Sequence, residues 1–413
     1  MRLQYIFKKD YNLKKKTIFI TGSSGFIGYL FLKRSLGDGY KIIDILRDKN
    51  KKNKKLLYLR KKYKSSYKSD HAIFPLIQDK IAFSTLMFIA FLIIPFVINS
   101  YWEKAILVPF LIFSLAAIGL NILTGYCGQV SLGTGGFMAV GAFSTYKIMT
   151  YFPDLNIMII VLISGLITAA VGILFGLPSL RIKGFYLAVA TLASQFFLVW
   201  LFNKVPWFYN YSDTGQITVS ERLMFGIPVT GATAPPYATY LFCLILVVLL
   251  GFAAKNLIRS KMGRSWMAIR DMDIAAEIIG VPPLKTKLSA FAISSFYIGV
   301  AGALYFAVFL GAIEVTESFD IMTISFPVLF MIIIGGLGSM LGSFLGAAFV
   351  VTLPIGLKFL MVDMVGLSAV TAKHFEITIW GLLMIVFLIV EPHGLARLWS
   401  IAKEKLRRWP FPY

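Results

Sequence analysis

Long apolar runs, separated by short polar or glycine-rich breaks, follow one another from residue 81 to residue 390. A helix that crosses the hydrocarbon core of a bilayer needs about 20 mostly apolar residues, or roughly 17 when untilted. That ruler selects ten runs, at 81–98, 105–123, 133–151, 156–177, 185–202, 238–254, 290–310, 321–335, 341–360 and 377–390. The pattern predicts an all-α polytopic membrane protein with about ten transmembrane helices. Upstream, residues 17–28 read TIFITGSSGFIG: a strand-like run that breaks into Gly22, Gly25 and Gly28 and resumes as a helix-like run over 25–36. A second strand-like run, YKIIDIL, follows at 40–46. The N-terminus is therefore expected to hold a short, incomplete Rossmann-like βαβ fragment.

Composition supports the membrane reading. Of 413 residues 58% are hydrophobic and 15% charged, with a mean hydropathy of +0.76, whereas soluble domains are roughly a quarter charged. The net charge of +21 is unevenly spread: residues 1–80 carry 21 of the 41 Lys/Arg and 6 of the 20 Asp/Glu. Next to membrane spans such a basic block reads as a flank facing anionic lipid rather than as a nucleic-acid site. No cleavable signal is expected, because the first run long enough to span begins near residue 81.

The positive-inside rule agrees with ten spans. Residues 1–80, the turn with Arg181 and Lys183, the loop 255–289 with seven Lys/Arg, and the end with Arg397, Lys403, Lys405, Arg407 and Arg408 fall on one side, taken as cytoplasmic. The other side receives the loop 203–237 and the turn with Glu314, Glu317 and Asp320. The expected organisation is a basic cytoplasmic segment with the βαβ fragment at 1–64, a linker at 65–80, a transmembrane domain at 81–395 and a basic cytoplasmic tail at 396–413. Cys127 and Cys243 then lie toward opposite faces, and no disulfide is expected.

Two interruptions of the apolar pattern carry the chemistry. In LNILTGYCGQVSLGTGGFMAVGAFSTY (120–146), polar residues and glycines fall between the second and third runs. Irregular backbone at membrane depth must be buried in protein or line a wet cavity, and broken helices of this kind build substrate sites. Asn121, Tyr126, Gln129 and Ser131 are the path candidates; a cytoplasmic turn with a small-residue packing face is the competing reading. In the loop 260–306, Ala275 and Ala276 continue a short helix, Gly280 ends it, and Pro282-Pro283 bar its continuation. The result is a compact elbow fixed between two spans, suited to a soluble partner or simply an ordinary basic loop. Glycines four apart, at 338, 342 and 346 and at 172 and 176, read as helix-packing faces.

Together these stretches resemble the LivM-type permease subunits of branched-chain amino acid ABC importers over residues 105–400. NILTGYCGQVSLG, LPSLRIKGFYLAVATL, MGRSWMAIRDMDIAAEIIG, IIIGGLGSMLGSFLGAAF and VEPHGLARLW match five of that family's motifs in order. The chain departs at Thr134, where the family usually has His, at Phe185, where it has an acid, and at Thr214-Gly215-Gln216, where a Thr-Gly-Gly is expected. These departures bear on substrate identity more than on architecture. The resemblance implies a bacterial inner-membrane permease with both termini cytoplasmic. It implies as partners a second permease, two cytosolic ABC ATPases and an extracytoplasmic amino-acid-binding protein. It also assigns ATPase coupling to the elbow, with Arg264, Arg270, Ala275, Ala276, Glu277 and Gly280 as contacts. No catalytic or metal-ligating set is expected, and no cofactor; ATP is used by the partners, since the chain has no GxxxxGK[ST] phosphate loop.

The N-terminal TGSSGFIG resembles the NAD-dependent epimerase/dehydratase group of extended short-chain dehydrogenases, but over only about 50 residues. The lysine-rich tract after Leu46 cannot supply further buried parallel strands. Tyr58 with Lys62, and Tyr11 with Lys15, match that group's Tyr-x-x-x-Lys by chance in so lysine-rich a tract. The fragment is expected to be a vestigial or fused remnant that does not bind NAD. Two rival functions are an ion-coupled secondary transporter, which needs ionisable groups at depth, and a membrane-anchored NAD enzyme, which needs a complete catalytic domain.

Overall fold

The computed structural model describes residues 17–20, 41–44 and 77–408, apart from 180–185, 232, 367 and 392. By its internal contacts the chain forms two units, Met1–Met87 and Phe88–Tyr413. In the first, β1 (Thr17–Ile20) and β2 (Lys41–Asp44) pair in parallel, with Thr17 opposite Lys41 and Ile20 opposite Asp44. Parallel neighbours require a crossover connection, which fits the βαβ order. Gly22, Gly25 and Gly28 lie outside the described residues. Helix α1 (Ile77–Phe88) continues through a wide i→i+5 turn at Ile89–Ile93 into Ile94–Val97.

The second unit is helical. Its long helices are α2 (Val108–Asn121), α3 (Thr134–Tyr151), α4 (Ile157–Ser179), α5 (Tyr186–Lys204) and α6 (Pro236–Arg259). Two short helices, α7 (Lys261–Asp271) and α8 (Asp273–Ile278), precede α9 (Pro283–Leu304), α10 (Phe326–Gly335), α11 (Met340–Lys358), α12 (Ala369–Val390) and α13 (Gly394–Arg408). Small strands tie down the polar loops at the far end. β3 (Ile217–Thr218) pairs antiparallel with β6 (Ala312–Ile313), and β4 (Arg222–Met224) with β5 (Ile227–Thr230).

Nine helical segments among the described residues are long and apolar enough to cross a membrane. The predicted span at 133–151 is helix α3, which falls short of that apolarity because of its glycines and polar residues. It can, since thirteen of its eighteen residues are buried in protein and need not face lipid. The helices also run beyond the predicted ends. The ten predicted runs contain no Asp, Glu or His, but segments such as Ser100–Tyr126 and Val370–Val390 bring Glu103, His374 and Glu376 inside. Of these, Glu103 is buried and accepts from the Thr239 hydroxyl on α6.

α9 is the central helix, packed on α2, α3 and α4. Its glycines allow this: a Cβ at Gly302 would overlap the Met138 carbonyl on α3, and one at Gly299 the Thr168 side chain on α4. Lipid tails are as apolar as leucine, so helices associate in membranes through such close backbone approach rather than through hydrophobicity. The predicted glycine pairs act the same way. Gly172 and Gly176 face Ser295 and Phe291 of α9, while Gly342 and Gly346 of α11 meet the backbone of α10.

Candidate functional site: the helix break and the elbow beneath it

α2 ends in a wide turn at Ile122–Tyr126, and the chain then runs irregularly to Gly133 before α3 begins. Wide turns of this kind recur at functional positions in helices. The broken backbone is almost wholly satisfied by protein, as its depth demands. The Gly128 amide donates to the Thr124 carbonyl (3.1 Å) and the Gln129 amide to the Leu123 carbonyl (3.1 Å), while the Thr124 hydroxyl donates to the Gln129 carbonyl (3.1 Å). The Leu132 amide donates to the Thr191 hydroxyl (3.0 Å) on α5. At the start of α3 the Gly135 amide donates to the Ser325 hydroxyl (2.8 Å), which donates to Gln195 Oε1 (2.6 Å); Gln195 Nε2 in turn donates to the Phe319 carbonyl (3.1 Å). A Cβ at Gly133 would sit 2.7 Å from the Thr191 carbonyl, so the small residues of this motif are a steric requirement.

The four predicted path residues are all buried but have different surroundings. Asn121 is fully engaged by the turn between α10 and α11. Its Nδ2 donates to the Ser339 carbonyl and the Ser343 hydroxyl (2.9 Å each), and its Oδ1 accepts from the Gly338 amide (2.8 Å). Tyr126 lies against the Met340 backbone. Ser131 Oγ accepts from the Gly133 amide (3.4 Å). Gln129 Oε1 is buried with no partner, and so is Thr134 Oγ1 at the first position of α3. Cys127, within the break, is a free thiol pushed up to about 12 by burial, an effect that the charge of Lys287 partly offsets.

The elbow is built as its sequence predicts. Ser260 caps α7 by accepting from the Met262 amide (3.2 Å), and Trp266 is buried with its Nε1 donating to Ser289 Oγ (2.9 Å). α8 ends in a Schellman motif: Gly280 has φ +88°, its amide donates to the Glu277 carbonyl (3.0 Å), and the Val281 amide donates to that of Ala276 (3.0 Å). Ala276 is buried against the bundle, while Ala275, Glu277 and Gly280 face outward. So do Met272, Ile274, Ile278 and Ile279, each at least 66% exposed. Arg264 is exposed on α7 and engaged in a contact of its own.

The structure also joins the two motifs, which sequence reasoning treated separately. Arg270, at the end of α7, donates from Nη1 to the Gly125 carbonyl (2.9 Å) while pairing with Asp271 at 2.8 Å. Its Cγ lies 2.9 Å from where a Gly128 Cβ would be, and its Nη1 is 3.3 Å from the same position on Gly338. A cation thus caps the carbonyl end of α2, and the elbow, the helix break and the Gly336–Ser339 turn meet at one residue. Gly338, Ser339, Ser343, Thr191, Gln195 and Ser325 complete this junction. Sequence reasoning gave them no role in the site and read Gly338 only as part of a helix-packing face, although the GGLGS turn was there to suggest a backbone crossing point. No group of three or more His, Cys, Asp or Glu able to hold a metal occurs among the described residues.

Residues 104–390, which contain this whole junction, match the family described as "Branched-chain amino acid transport system / permease component". The chain belongs to this permease family. It is 31% identical over 305 residues to the high-affinity branched-chain amino acid transport system permease protein LivM of Escherichia coli, covering 69% of this chain and 68% of the relative. It is 30% identical, with the same coverage, to LivM of Salmonella typhimurium. A probable LivM of Methanocaldococcus jannaschii is 23% identical over 330 residues, or 70% of this chain and 92% of that one. No solved structure matches the chain. The permease is an ABC transporter subunit and a multi-pass membrane protein. Its family match stops at the end of α12, leaving α13 and the N-terminal unit outside.

Proposed function

We propose that this permease forms the translocation path of an ATP-driven importer for branched-chain amino acids. It works in a bacterial plasma membrane with a second permease, two cytosolic ATPases and an extracytoplasmic binding protein, and both of its termini and its elbow are cytoplasmic. It is not itself an enzyme and holds no cofactor. The observation that carries this reading is the elbow: an apolar surface of Met272, Ile274, Ile278 and Ile279 stands exposed on a short, stiffly terminated helix. Its base is hydrogen-bonded through Arg270 to the end of α2. A partner that moved α8 would therefore pull on the helix break, and rigid movement of helices around a fixed site is how access alternates.

Along the path, Gln129 and Thr134 are the residues that meet the substrate. A buried polar atom without a partner is costly, and a passing amino acid supplies the missing hydrogen bonds. Asn121 acts beside them by holding the α10–α11 turn in place.

Uptake of radiolabelled leucine in cells, together with co-purification of the ATPases, tests the reading. The pair Ile274→Ser and Ile278→Ser is expected to abolish both at unchanged membrane levels of the permease. Arg270→Ala is expected to keep ATPase binding and lose uptake. Normal uptake in the Ile274/Ile278 pair would overturn the coupling role. Glu103 favours the ion-coupled rival, since it is a buried carboxyl inside a helical segment. On the importer reading Glu103→Gln leaves uptake insensitive to the proton gradient, as in the parent.

A further inference from the structure

α13 begins where a membrane-crossing segment ends. Gly394 turns the chain at φ +66°, and a Cβ on it would lie 2.5 Å from the Ile334 carbonyl at the end of α10. In return, a Cβ on Gly336 would lie 2.5 Å from the His393 carbonyl and 3.2 Å from the Ala396 Cβ. The first turn of α13 is thus seated on the end of the segment Thr316–Gly335. Over Gly394–Arg408 the helix carries five Lys/Arg and one Glu. Of these, Arg397 pairs with Glu391 at 3.4 Å.

The helix is also amphipathic in a specific way. Leu398, Trp399 and Ile401 are 45%, 52% and 40% exposed, and Lys403 follows Trp399 by one turn and so shares its face. Lys255, near the end of α6, stands within Coulomb range of both Arg259 and Lys403, and Lys255 and Lys403 are each engaged in a contact of their own. Three half-buried cations from two helices are thereby brought together beside an exposed tryptophan. Indole rings favour the membrane interface, basic amphipathic helices lie in it, and basic pockets between membrane helices hold anionic headgroups.

We propose that α13 and the end of α6 form a binding surface for an anionic phospholipid. Lys255, Arg259 and Lys403 take its phosphate, and Leu398 and Trp399 rest at the acyl boundary. α13 runs past the end of the family match at residue 390, and the proposed surface is independent of the substrate carried.

The test uses the full chain in lipid nanodiscs, with an environment-sensitive fluorophore on Leu398→Cys. The native Cys127 and Cys243 are buried and leave little background. In discs containing phosphatidylglycerol the label is expected to be quenched by brominated lipid and shielded from iodide, while a label on Lys405→Cys stays open to iodide. In pure phosphatidylcholine the shielding is expected to weaken. Each cation lost from an anionic surface lowers lipid affinity about fivefold, so Lys403→Ala is expected to raise the phosphatidylglycerol needed by that factor, and Lys403→Arg to restore it. Equal exposure of positions 398 and 405 in all discs would overturn the proposal. Shielding that ignores phosphatidylglycerol and Lys403→Ala would overturn its charge component. Shielding reproduced in phosphatidylcholine by inorganic phosphate, or only by added ATPase, would assign the surface to that ligand instead.

Discussion

Two membrane-crossing segments of the permease, Pro283–Leu310 and Val370–Val390, have almost the same mean hydropathy, 1.9 and 1.8, yet over an apolar stretch of 18 residues in each, 72% of the first is buried in protein and 6% of the second. The first contains α9 and the second α12. Hydropathy suffices to place either in lipid, but it does not distinguish them. What does is the distribution of small and hydroxyl residues. α9 presents Gly299 and Gly302 to neighbouring backbones, with Ser294 and Ser295 also buried, whereas Gly381 of α12 faces open space. In a bilayer, apolarity drives insertion, while close approach and hydrogen bonding decide which helices become the interior.

The largest test of that contrast exchanges glycine for leucine on each helix. Gly302→Leu places a side chain into the Met138 carbonyl and is expected to cost about 3 kcal/mol or prevent assembly. Gly381→Leu is expected to leave the thermal midpoint of the detergent-solubilised protein unchanged. Equal effects would mean that α9 can shift to make room.

A smaller effect is expected from polar cross-links. Asn121→Ala removes three hydrogen bonds between α2 and the α10–α11 turn and leaves buried groups unpaired, at about 1–3 kcal/mol. Thr378→Ala on α12 removes an exposed bond to the His374 carbonyl of its own helix, and the melting curve is expected not to move. The smallest signal is chemical. With its thiol raised to about 12, Cys127 is almost wholly protonated at pH 8, so native permease should resist alkylation and the rate should rise about tenfold per pH unit. A cysteine placed at Ile278, which is 81% exposed, should react at once. Rapid labelling of Cys127 at neutral pH would mean that the helix break is open to water.

Much of the elbow was legible in the chain because its signals are local. Ser260 caps, the alanines extend, Gly280 takes positive φ, and the prolines keep the helix from resuming, all within one loop. The helix break was legible as a place and not as a set of roles. Asn121 reads as a polar residue beside a gap, but its partners are 217 to 222 positions away, and no local pattern carries that distance. The extra helical turns that bring Glu103 inside were hidden for a related reason. A carboxyl ends an apolar run on any hydropathy scale, and only the Thr239 hydroxyl from another helix makes its burial tolerable.

The sequence by itself determined that this protein is a bundle of membrane helices, where most of them run, and that one loop ends in a rigid elbow. Those features depend on run length, capping and turn chemistry, which act between near neighbours in the chain. Tertiary structure alone decided which of the equally apolar helices is central. It also decided that Arg270 reaches the end of α2, and that Lys403 comes within Coulomb range of Lys255. These depend on which backbones can approach closely, a property of pairs of surfaces that no single stretch of sequence contains.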